Sequence, residues 1–275
     1  MGVLCILARM VAADYVCAVG AVAKATAQDA TQRGLLARGD GLPAATLALH
    51  CLFSALADHW SCKGPGELEP LAFASFAGGS DGGSAAGVPL PEGCSEWREA
   101  DLVEGSTLVC RVLRNCVPEI DHDNMRVRRA STQGMQLLLW LVSAACRHAS
   151  GDAAKLELLM AAALQARGNA VTSSARLATE VWEGAWPRVL TEVAMAQGAR
   201  CQGVVAMIVY NALRTDSARQ AAFAHDESAG DVLAALLGTT YSARAQVCVG
   251  VCECVCVCEC VCVYVLKDFR THACI

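Results

Sequence analysis

Through most of this chain apolar residues recur at intervals of three and four, the spacing that lines one face of an α-helix. The pattern over residues 3–24 predicts a first amphipathic helix, and over 31–60 two helices broken at Gly39-Asp-Gly-Leu-Pro43. Pro43 suits the first turn of the second of these, where a missing N–H costs nothing. Helical character returns at Glu96 and persists to about Tyr241. In Met135-Gln-Leu-Leu-Leu-Trp-Leu-Val142 and Leu156-Glu-Leu-Leu-Met-Ala-Ala-Ala-Leu164 the apolar positions run almost all round. Helices of that kind are buried between neighbours on both sides. Gly151-Asp152, Gly184 and Gly198 fall where helices should stop and turn.

Three of the apolar frames carry an asparagine: Leu113-Arg-Asn-Cys-Val117, Ala166-Arg-Gly-Asn-Ala-Val171 and Val209-Tyr-Asn-Ala-Leu213. Cys51-Leu-Phe-Ser-Ala-Leu56 repeats the frame upstream with Ser54 in the asparagine's place. A buried helix recurring at roughly 40–47 residues is the signature of armadillo and HEAT repeats. The expected fold is therefore all-α: an armadillo/HEAT-like right-handed α-solenoid with a low-complexity C-terminal tail. Four segments are expected: helical repeats over 1–62, a flexible Gly/Ser/Pro-rich insertion over 63–95, armadillo-like repeats over 96–246, and the tail over 247–275. The insertion contains Gly78-Gly-Ser-Asp-Gly-Gly-Ser-Ala-Ala-Gly87. No strand precedes it and no Gly-Lys-Ser/Thr ends it, so it reads as a linker and not as a phosphate loop.

Composition agrees with stacked helices. Of 275 residues 55% are hydrophobic but only 5% aromatic, and Ala and Leu, both strong helix formers, are abundant. A net charge of −5 gives no electrostatic reason to expect nucleic acid or an anionic membrane as partner. The one basic run, Arg126-Val-Arg-Arg129, is too short to change that. No segment reads as a run of about 18 apolar residues free of charge or turn, so no membrane span is expected. The N-terminus has no basic n-region, and Arg9 and Asp14 interrupt its apolar run, so a signal peptide is not expected.

Seventeen cysteines fall into two populations. Nine lie singly among Ala, Leu and Val within the first 201 residues, with no CxxC pair. Such residues behave as small hydrophobes, which fits a reducing, cytoplasmic setting. The other eight belong to the tail, whose residues 247–265 alternate Val and Cys. A DNA tract of alternating G and T encodes alternating Val and Cys in any frame. Glu253, Glu259, Gly250 and Tyr264 each depart from that by one base. The tail thus reads as a translated microsatellite. A thiol-faced β-strand and a metal- or redox-binding tract are the other readings, although structural zinc sites use spaced ligand pairs.

Two stretches carry a family resemblance. Val109-Cys-Arg-Val-Leu-Arg-Asn-Cys-Val117, followed by Asn124 and Arg126, is similar to the Cys-Leu-Arg-Asn-Ala-Cys helix of the ataxin-10 family of armadillo-repeat proteins. Ala163-Leu-Gln-Ala-Arg-Gly-Asn169, then Val181-Trp-Glu-Gly-Ala-Trp-Pro187, then Val204-Val-Ala-Met-Ile-Val-Tyr-Asn211, follow that family's order and spacing. Trp186 stands where the family more often has Phe, and the family's C-terminal domain has no counterpart, the Val-Cys tract standing in its place. The resemblance covers about residues 100–215. It implies a cytoplasmic scaffold linked to cell division, with no cofactor and no catalytic residues, binding other proteins or extended peptides. A truncated or mispredicted gene product of that family is the second reading.

The candidate sites follow. Asn115, Asn169 and Asn211 either line a groove and bond a peptide backbone, as equivalent asparagines do in armadillo importers, or satisfy backbone groups where helices pack. The importers place Trp four residues earlier. Arg111, Gln165 and Met207 stand there, so nuclear-signal recognition is not expected. Trp182, Trp186 and Pro187 are expected to anchor a corner between helices. Ser131, in Arg128-Arg-Ala-Ser131, fits a basophilic kinase site and is expected to cap a helix over 132–148. Asp121-His-Asp123 reads as a solvated loop. Cys146 and His148, two apart on a helix, point different ways and make no nucleophile–base pair.

Overall fold

The computed structural model describes residues 12–38, 40–64, 94–120, 124–148, 152–196, 198–214 and 216–237. The Gly-rich core of the insertion, the Asp121-His-Asp123 loop and the Val-Cys tail lie outside the described residues. Among the described residues the chain is all-helical, with eleven α-helices, two short 3-10 turns and no strand. Cα packing divides it between Ser173 and Ser174 into two compact units. That division falls inside the 96–246 segment, and helices on both sides of the insertion share the first unit.

The first unit contains α1 (Ala12–Gln28), α2 (Ala30–Arg38), α3 (Gly41–His59), α4 (Glu99–Cys116), α5 (Met125–Arg147) and α6 (Ala153–Ser173). α1 buries Tyr15, Val19, Ala23 and Thr26, one stripe at helical spacing. α4 packs against α1 and α6, α3 packs against α4 and α5, and α5 packs against α6. The apolar runs at residues 135–142 of α5 and 156–164 of α6 are largely buried, and α3 buries residues on most of its circumference as well. α3 is also long and apolar enough to cross a membrane, at 19 residues and a mean hydropathy of 1.3, but 67% of its most apolar window is buried among neighbouring helices.

α4 opens with Glu99 and Asp101 and closes with Arg114, charges that complement the helix dipole. Where α3 crosses α5, the Thr46 hydroxyl donates to the Ala130 carbonyl at 3.3 Å. Gly134 sits at that crossing, and a Cβ there would lie 3.1 Å from Thr46 Oγ1. A side chain at this position would press on that of Thr46, which would have to give by a few tenths of an ångström.

The expected N-cap at Ser131 is overturned. α5 begins at Met125, and Asn124 Oδ1 accepts from the backbone N–H of Arg126 at 3.0 Å and of Val127 at 3.3 Å. Asn124 caps better than a position seven residues on, because Arg126 to Arg129 then form a first turn instead of a coil. Ser131 lies mid-helix and is 1% exposed. A kinase cannot reach its hydroxyl while α5 is packed.

The second unit contains α7 (Ala175–Ala185), α8 (Arg188–Ala196), α9 (Ala199–Leu213), α10 (Ser217–Ala224) and α11 (Glu227–Leu237). Ser174 caps α7 by accepting from Leu177 N–H at 3.2 Å, and Asp216 caps α10 by accepting from Arg219 N–H at 2.9 Å. α8 packs against α9 and α11, and α9 also meets α7, α10 and α11.

Candidate partner-binding face

Glu104, Leu108, Arg111 and Asn115 follow one another at intervals of three and four along α4, and none of them is fully buried. On α6 Lys155, Leu158, Gln165 and Asn169, spaced three, seven and four apart, are likewise not fully buried. Between the helices lies a pocket of about 220 Å³ lined by Glu104, Thr107, Leu108, Arg111, Lys155 and Leu158.

Asn115 and Asn169, the two frame asparagines of this unit, share one arrangement. Asn115 Nδ2 donates to the Ala23 carbonyl at 3.2 Å and to Thr26 Oγ1 at 3.1 Å, both on α1. Asn169 Nδ2 donates to the Arg114 carbonyl on α4 at 2.8 Å. Each amide thus reaches back from the last turns of one helix to the last turns of the helix before it in the α1–α4–α6 series. Arg114 extends the seam: its Nε donates to Asn115 Oδ1 at 3.1 Å and its Nη1 to Gln165 Oε1 at 2.8 Å. Burial, and after it the nearby charge of Arg111, push the Arg114 pKa below its ordinary value.

Asn211 lies half-buried on α9 of the second unit. Ser54, the upstream counterpart in the sequence frame, is spent differently: its hydroxyl donates to His50 of its own helix at 2.9 Å.

In the second unit Trp182 and Trp186 stack with centroids 5.1 Å apart and planes 11° off parallel. Phe223 lies 4.8 Å from the Trp186 ring, and Arg219 sits 5.9 Å over Trp182. Trp186 Nε1 donates to Asp226 Oδ2 at 2.9 Å, and the Trp186–Pro187 peptide is cis. Arg219 donates to the Ala212 carbonyl at 2.7 Å and to Thr179 Oγ1 at 3.1 Å. This cluster ties α7 to α9 and α10 around the bend at Pro187.

Two groups escaped the sequence reading. Arg167, inside the Ala-Arg-Gly-Asn frame, is 2% exposed, and its guanidinium donates to the Met135 carbonyl on α5. Burial pushes its pKa down to about 9. Its neighbours in sequence gave the only available signal, since an arginine flanked by Ala166 and Gly168 on an all-round apolar helix has nowhere exposed to go. The second group is Trp60, Glu99 and His148. Glu99 Oε1 accepts from Trp60 Nε1 at 2.9 Å and lies 3.0 Å from His148 Nε2, while the Trp60 and His148 rings stack at 4.9 Å. Cys146 is not part of that group. Cys146 Sγ lies instead 3.6 Å from Met160 Sδ.

Among the described residues no group of three or more His, Cys, Asp or Glu could hold a metal ion. A second pocket of about 260 Å³, among α1, α2, α3 and α4, is lined by Val19, Val22, Leu36, Ala45 and Val112 among others, none of them charged. The described cysteines are free thiols. No family model matches the chain, and neither a curated protein nor a solved structure matches it.

Proposed function

We propose that this protein is a non-catalytic protein-interaction scaffold, an armadillo/HEAT-like right-handed α-solenoid that holds extended segments of other proteins against its α1–α4–α6 face. The observation that carries the reading is the repeated asparagine link, Asn115 to α1 and Asn169 to α4. One side chain used twice, at the same place on successive helices, is what a repeated structural unit produces. The flanking packing, α3 behind α4 and α5 behind α6, supplies the second layer that such a repeat needs. The two amides serve helix packing, so peptide contacts fall to the side chains around them. Arg111 and Gln165 lead these. The resemblance to the ataxin-10 family supports a cytoplasmic setting and a role in cell division, and the free thiols suit that compartment.

The test is selection of an unbiased peptide display library on the immobilised full chain. The reading expects saturable binders that lose affinity when Leu108→Asp and Leu158→Asp are introduced into a chain whose circular dichroism is unchanged. Failure to select any saturable binder, or binders indifferent to both changes, overturns it.

A further inference from the structure

Two cations reach the pocket between α4 and α6, one from each helix: Arg111 and Lys155. Arg114 follows Arg111 on α4 close enough for the two charges to disfavour each other. Among the described residues neither Arg111 nor Arg114 forms an ion pair with a carboxylate. The bonds of Arg114 go to the neutral Gln165 and Asn115. Lys155 meets Asp152 at 3.5 Å, but both side chains there are about half exposed, at 48% and 51%, where such a pair adds little. Glu104, the one acid lining the pocket, stands two helical turns before Arg111. Arg111 and Arg114 thus stand beside each other's charge with no carboxylate among the described residues bonded to either, which disfavours the unliganded state, and an anion arriving at Arg111 relieves it.

We infer that this pocket receives the carboxylate of a glutamate or aspartate in an acidic, extended segment of the partner protein, with Arg111 and Lys155 as the residues that hold it. The inference rests on the reading of the α1–α4–α6 face as a partner surface and names the partner's chemistry. Leu108 and Leu158 line the same pocket and suit the methylene stem of a glutamate. A guanidinium presents parallel N–H donors that match a carboxylate edge, which an ammonium alone does not. The chain's net charge of −5 favours a discrete acidic side chain over a polyanion such as nucleic acid.

The experiment measures fluorescence anisotropy of three labelled eight-residue peptides on the full chain: alternating Glu and Leu, alternating Gln and Leu, and alternating Lys and Leu. The Glu peptide should bind at least about tenfold more tightly than the Gln peptide, the scale of one charge-assisted pair. Arg111→Gln and Lys155→Gln should each remove most of that difference, while Arg128→Gln, an exposed arginine on α5, should not. Equal affinity for Glu and Gln peptides, or an advantage that survives Arg111→Gln, overturns the inference. Library-selected peptides that need Leu108 and Leu158 but carry no excess of acid would remove the acidic subsite and leave the scaffold standing. An absence of any selected peptide would remove both.

Discussion

At the scale of single residues, the asparagines decide how the first unit coheres. Asn169 donates one short bond to a carbonyl, while Asn115 donates two longer ones and accepts a third from Arg114, all partly shielded from water. Truncating either to alanine should cost about 1 kcal/mol, with Asn115→Ala the larger. A urea midpoint that falls at unchanged slope would show this, and an unmoved midpoint would mean that the bonds add nothing over water. The cysteines give a second expectation. Burial, with help from the nearby Cys94 thiol, raises Cys51 from an ordinary 9.0 to about 11. Burial raises Cys116 to about 12, Glu119 adding to it and Arg33 opposing it. Burial takes Cys110 higher still. From about pH 9 the unfolded chain sheds these protons while the folded chain keeps them, so the folded state binds more protons and loses stability as pH rises. Urea midpoints should fall steadily from pH 9 to 11. A flat profile there would show that the thiols are hydrated. The asparagines stood out in the sequence as polar residues repeated within apolar frames. Their partners did not, because a side chain's choice between a peptide and a neighbouring helix depends on which helix lies opposite.

At the scale of elements, helical periodicity made the helices legible, and the nearly all-round apolar runs at residues 135–142 in α5 and 156–164 in α6 made their enclosure legible too. The start of α5 was not. Asn124 and Ser131 are both competent caps, and the choice between them turns on whether Ser131 can be buried, a tertiary matter. The Trp60–Glu99–His148 group was hidden for a related reason: its members come from the ends of three helices brought together only by packing. Glycines make the contrast testable. Gly134→Leu should destabilise by about 1–3 kcal/mol, since its side chain meets Thr46 at a close crossing. Gly34, on α2, has open space around it, and Gly34→Ala should stabilise by about 0.5–1 kcal/mol through helix propensity. Thermal melts of the two variants should shift in opposite directions. A Gly134→Leu melt that does not fall would show that the α3–α5 crossing is looser than a 3.1 Å approach to Thr46 implies.

At the scale of the whole molecule, the chain holds two helical units, each with its own tie: an asparagine–arginine seam in the first and a tryptophan–phenylalanine cluster around Pro187 in the second. The all-helical class was legible from Ala and Leu content and from periodicity. The division at Ser173 was not, since helical patterning continues across it and only the capping serine at 174 marks the junction. The recurrence of asparagine led to the repeat reading and to a binding face, although the pocket charges, not the amides, now carry the proposed recognition. The most direct measurement is hydrogen–deuterium exchange of the full chain with and without a saturating library-selected peptide. The account predicts slowed exchange concentrated in the peptic fragments covering α4 and α6. Protection confined to the second unit, or spread evenly over both, would contradict it.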